Sequence, residues 1–140
     1  AYEIGTALKR FLDTGAFLVH AGIDNKKVID SLELILAQLK KTKEELVSAD
    51  ELKRAKEFYL GQLKLALEDT LDNMLWIGES TASIDKTYTL EDVINEVNKV
   101  KREDLCKVAK HLFQGRKLNL SLIGPLKDIE QDIYNKLKID

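Results

Sequence analysis

Two hydrophobic periods divide this chain, and the change between them sets its fold class. Residues 2–23 alternate with period two, and from Val28 onward the apolar residues recur at helical spacing. In the first stretch Tyr2, Ile4, Thr6, Leu8, Arg10 and Leu12 share one face, and Glu3, Gly5, Ala7, Lys9 and Phe11 the other. Neither face is wholly apolar, which predicts a sheet covered unevenly along its length. Asp13-Thr14-Gly15 predicts a hairpin turn, where Gly15 can take a positive φ. The return strand over 16–23 sets Phe17, Val19, Ala21 and Ile23 against Leu18, His20 and Gly22. The first strand has no lead-in, whereas domains usually start with a few loosely held residues. The expectation is therefore one domain over 1–140 that is the C-terminal portion of a longer one, truncated at its N-terminus.

The helical part is punctuated. Asp24-Asn25 can cap a first helix whose stripe is Val28, Leu32, Ile35, Leu36 and Leu39. Lys40, Lys41 and Lys43 suit the negative end of its dipole. Ser48-Ala49-Asp50-Glu51 has the form of a capping box and predicts one long helix over 49–77. Its inward face would carry Leu52, Ala55, Tyr59, Leu63, Leu67, Thr70 and Met74. Gly61 inside that helix costs about 1 kcal/mol against Ala, so it marks a bend or a close contact. Gly78 to Tyr88 is the longest polar stretch and predicts a loop. Short helices follow from Thr89 to Asn98 and over 102–113, with Leu105, Val108, Ala109 and Leu112 inward and Gly115 as the stop. Leu118 to Ile123 predicts a third strand ended by Gly124-Pro125, and Leu126, Ile129, Ile133 and Leu137 a last helix. The order β-β-α-α-α-α-β-α segregates strands from helices. It predicts an α+β, two-layer domain with a small, largely antiparallel sheet packed on helices.

Composition excludes several function classes. A formal net charge of −2 gives no electrostatic footprint for nucleic acid or an anionic membrane. No apolar run approaches the roughly 18–20 residues of a membrane span. Cys106 is the single cysteine, so no intrachain disulfide can form. That suits a reducing compartment and favours a cytoplasmic location.

Chemistry-bearing residues are sparse. His20 and His111 stand far apart, outside any H-x-x-H or H-x-x-E-H spacing, and Cys106 has no C-x-x-C partner, so a metal site within this chain is not expected. There is no G-x-S-x-G and no glycine-rich phosphate loop. Glu68, Asp69 and Asp72 read as a solvated helix face, and Trp76 as the buried end of its helix. By spacing alone, Tyr2 is a tyrosine packed at a sheet edge.

Six stretches in order nevertheless resemble one family. AYEI at 1–4 resembles the end of an R-E-K-x-G-L-A-Y-x-[VI] segment, and DTGAF at 13–17 a d-x-G-x-[FL] strand start. SADELKRAKEFYLG at 48–61, LEDT at 67–70, VNKVKREDLCKVAKHL at 97–112 and LSLIGP at 120–125 match further segments. The family is the pitrilysin/insulinase class of zinc metallopeptidases, with its mitochondrial-processing-peptidase-like branch the nearest in pattern.

The resemblance implies paired α+β domains. The first domain carries H-x-x-E-H and a distal Glu, which hold zinc and activate a water whose pKa falls to about 7. None of that motif is in this chain. The second domain supplies an Arg/Tyr pair that contacts the substrate backbone. Tyr2 matches its Tyr, and the Arg would lie before Ala1. The implied cofactor is thus zinc held elsewhere. The implied partners are a preceding catalytic half or a homologous subunit, together with a peptide substrate, and a dimer is compatible. The resemblance also admits a non-catalytic structural or assembly subunit, and the residues alone admit an unrelated α+β binding module. On the leading reading the chain is the substrate-side fragment of a metalloendopeptidase, inactive alone.

Overall fold

The alternating residues form a hairpin in the computed structural model, which describes residues 2–84, 87–125 and 129–139. Strands β1 (Glu3–Arg10) and β2 (Gly15–Gly22) make a two-stranded sheet. The Phe11 N–H donates to the Thr14 carbonyl at 2.9 Å, so the chain reverses at Leu12-Asp13, ahead of the predicted turn, and Gly15 opens β2.

The helices are α1 (Val28–Glu44), α2 (Ala49–Ala66), α3 (Thr70–Ile84), α4 (Leu90–Lys99), α5 (Arg102–Leu112) and α6 (Glu130–Lys136). With the hairpin they make the α+β class that the two periods predicted. The chain divides into two compact units. One comprises Ala1–Lys9, Ala16–Leu46 and Leu105–Asp140, the other Arg10–Gly15 and Val47–Asp104.

In the first unit, Asp24 caps a single 3-10 turn, its carboxylate accepting from the Lys26 N–H at 2.8 Å, and α1 follows directly. The predicted stripe of α1 is the core. Val28, Leu32 and Leu36 are buried with Ile133 of α6 and Ile139, and Ile23, Ile29, Leu39, Phe113, Leu118, Ile129 and Leu137 pack around them. Lys136 of α6 forms an ion pair with Glu33 of α1, and the carboxylate raises the lysine pKa. The rings of Phe17 and Phe113 lie 5.3 Å apart, tilted. Leu126, placed by the pattern in the last helix, lies outside the described residues.

In the second unit the predicted long helix is two helices. Asp69 ends the run: its Oδ1 accepts from the N–H groups of Leu71 at 2.8 Å and Asp72 at 3.0 Å, which starts α3 afresh. The inward stripe of α2 is also rotated. Leu52, Lys56, Leu60, Leu63 and Leu67 are partly covered, while Tyr59 is 50% exposed. Lys56 reaches the end of α4, where its Nζ donates to the Asn98 carbonyl at 2.9 Å. The predicted loop from Gly78 is helical as far as Ile84. Ser80 and Thr81 turn their hydroxyls onto the Ile77 carbonyl at 3.0 and 2.9 Å, so these polar residues sit within a helix without breaking it. Ser48 caps α2, its Oγ accepting from the Glu51 N–H at 3.1 Å. A reciprocal capping box forms at Thr89 and Asp92, and it lowers the Asp92 pKa.

The third predicted strand does not form. Among the described residues the sheet has two strands, and 118–123 joins no ladder. Alternation orients side chains, but a strand exists only when a neighbour takes its hydrogen bonds.

Candidate functional site

Tyr2 stands immediately before β1. Its N–H donates to the Gly22 carbonyl at 2.7 Å, which ties the start of β1 to the end of β2. The side chain is 85% exposed, so it does not pack at the sheet edge. A phenol held on an anchored backbone yet open to solvent can donate a hydrogen bond to an incoming carbonyl.

Three residues along β1, Gly5 meets a histidine. A Cβ there would come within 2.7 Å of His20 Nε2 and 2.8 Å of its Cε1, closer than such atoms approach. The hairpin register brings these two residues to one face, and glycine lets the imidazole lie across the strand. The length of the turn sets that pairing, and the period-two pattern alone does not reveal it.

The other candidates remain apart. His111 is exposed near the end of α5. The Cys106 thiol is half-buried and donates to the Lys43 carbonyl at 3.0 Å, a structural contact. Asp69 of the acidic group is occupied as the cap of α3. Trp76 is half-buried. No group of three His, Cys, Asp or Glu side chains among the described residues could hold a metal ion. The residues present therefore do not fit zinc.

A polar groove of about 590 Å³ runs along α4, lined by Thr87, Tyr88, Asp92, Asn95, Glu96 and Lys99. Its charges are already committed: Asp92 to Thr89, and Lys99 to Glu96 at 2.7 Å. Among the described residues no helix is long and apolar enough to cross a membrane.

Residues 1–59 match the family described as the peptidase M16 inactive domain. The chain belongs to this pitrilysin-like class, as a segment of its C-terminal, non-catalytic domain.

Several curated relatives match most of the chain. An uncharacterized zinc protease of Streptomyces coelicolor is 34% identical over 128 residues, which is 91% of this chain and 28% of the relative. The uncharacterized zinc protease YmxG of Bacillus subtilis is 30% identical over 125 residues, 89% of this chain and 30% of the relative. An uncharacterized zinc protease of Rickettsia felis is 28% identical over 128 residues, 89% of this chain and 30% of the relative. The chain thus spans less than a third of the length of these relatives.

Proposed function

We propose that this chain is the substrate-side portion of a zinc-dependent metalloendopeptidase of the processing-peptidase-like kind. On this reading it hydrolyses nothing by itself. Zinc and the groups that activate water belong to a catalytic half, in the same protein or a homologous subunit, and the chain meets the peptide beside them.

The observation that carries the reading is Tyr2: 85% exposed, on a backbone fixed to Gly22, at the position the resemblance assigns to substrate contact. A hydroxyl donating to the carbonyl under attack gains strength as negative charge builds on that oxygen, and such a difference accelerates the reaction. The hairpin ladder holds the backbone at Tyr2.

The test is Tyr2→Phe in the full-length protein. Losing a donor that acts on the transition state lowers kcat/KM by at least about tenfold, with bound zinc and melting temperature unchanged. An unchanged kcat/KM removes Tyr2 from the site.

A further inference from the structure

Alternation alone sets Tyr2 and Gly5 on opposite faces of β1, yet the hairpin brings Tyr2, Gly5, His20 and Gly22 to one face. At the turn the Phe11 N–H meets the Thr14 carbonyl at 2.9 Å. A regular antiparallel ladder counted from that pair places Gly5 opposite His20 and Glu3 opposite Gly22. The imidazole lying over Gly5 follows this register. At the open end, however, it is Tyr2 whose N–H donates to the Gly22 carbonyl, at 2.7 Å. β1 therefore carries one residue more than β2 ahead of Gly5. Such an extra residue is a bulge, and a bulge re-aims a side chain. The Tyr2 N–H points across to β2 as that of Gly5 does in this register, so the phenol is turned onto the face of Gly5 and His20.

Two glycines shape this face. At Gly5 a Cβ would stand 2.7 Å from His20 Nε2, so the missing side chain is what seats the ring. At Gly22 a Cβ would meet nothing within 4 Å among the described residues, so the floor between phenol and imidazole is open. Both rings are exposed, and neither makes a side-chain hydrogen bond to a described residue. Tyr2, opposite Gly22, and His20, two residues along β2, are diagonal neighbours about 7–8 Å apart. Two residues of an extended peptide cover about 6.5–7 Å. A peptide whose carbonyl is held by the phenol therefore brings a side chain over the imidazole. A neutral imidazole has one donor and one acceptor, which match a carboxamide.

We infer that His20 is a second peptide-contacting residue, hydrogen-bonding a carboxamide side chain two residues from the one that Tyr2 holds. Gly5 seats its ring and Gly22 leaves the room. This rests on the reading of Tyr2 as a substrate contact, and it adds the preference that the site imposes: Gln or Asn over Leu.

The test uses the full-length protein and two short unstructured peptides, one with Gln and one with Leu at alternate positions and otherwise identical. His20→Phe keeps a ring over Gly5 and removes its hydrogen bonds. It should lower kcat/KM for the Gln peptide about fivefold, the worth of a typical hydrogen bond, through KM, and leave the Leu peptide unchanged. Gly5→Ala drives the imidazole off the strand and should do the same. The double variant Gly5→Ala/His20→Ala should be no worse than His20→Ala. Gly22→Val fills the open floor and should raise KM for both peptides at unchanged melting temperature. Equal losses for the two peptides, additive losses in the double variant, or no loss with His20→Phe overturns the inference. The last result, with hydrolysis still impaired by Tyr2→Phe, leaves the role of Tyr2 intact. Binding of the same peptides, followed by fluorescence anisotropy with zinc removed by a chelator, is a readout independent of hydrolysis. Gln-selective binding that depends on His20, in a protein that hydrolyses nothing, would sink the peptidase reading and leave the site standing. Binding of neither peptide overturns both.

Discussion

Leu36 and Leu34 lie on one helix and differ almost only in burial, so truncating each isolates what the core of the first unit contributes. Leu36 is 7% exposed and belongs to the α1/α6 cluster, while Leu34 is 62% exposed. Leu→Ala deletes three carbons, worth roughly 0.8 kcal/mol each when fully withdrawn from water. For Leu36 nearly all of that is lost, and a cavity term adds to it, giving roughly 2–4 kcal/mol. The lower part of that range applies, because α6 has only seven residues and can settle into the space. Leu34→Ala should cost less than about 1 kcal/mol by the same area argument. The assay is urea unfolding followed by helical circular dichroism on the unmodified chain and both variants. The midpoints should separate, with Leu36→Ala far lower. Equal losses would refute the assignment of the inward stripe.

Two further outcomes concern the second unit. Asp69→Ala strips α3 of its cap and should cost about 1 kcal/mol, seen as faster amide exchange at Leu71 and Asp72; unchanged exchange would mean that the break between α2 and α3 does not depend on Asp69. The Thr89–Asp92 box should be pH-dependent. Hydrogen bonds from Thr89 lower the Asp92 pKa below 3.8, so its contribution is complete above that value and is lost as pH falls through the depressed one. The start of α4 should therefore fray under acid in the unmodified protein, and Asp92→Asn should remove that response, as read by amide exchange at residues 90–93.

The legible parts of this fold are those governed by local periodicity. The α1 stripe from Val28 to Leu39 was readable because burial there follows the 3.6-residue repeat without interruption. The break at Asp69 was hidden because Leu67 and Met74 continue the apolar spacing across it. The informative residue was the polar one, an Asp able to accept from two amides at once. Gly78 misled in the opposite direction, since a glycine followed by hydroxyl residues reads as a loop when those hydroxyls can equally bond back within a helix. The strand at 118–123 was legible as orientation and not as pairing, because pairing depends on a partner that no local pattern contains. The proposed substrate contact of Tyr2 comes only from resemblance. The exposure of Tyr2 and the tie to Gly22 are properties of the hairpin, and Gly5 facing His20 follows from where the turn falls.

The central claim is a division of labour, with the peptide contacted here and the zinc held elsewhere. Bound zinc and hydrolysis of an unstructured peptide should be measured side by side on the full-length protein and on these 140 residues. The account predicts stoichiometric zinc and zinc-dependent hydrolysis in the full-length protein, and neither in the 140 residues alone. Zinc-dependent hydrolysis by the shorter chain, or the absence of both from the full-length protein, would contradict it.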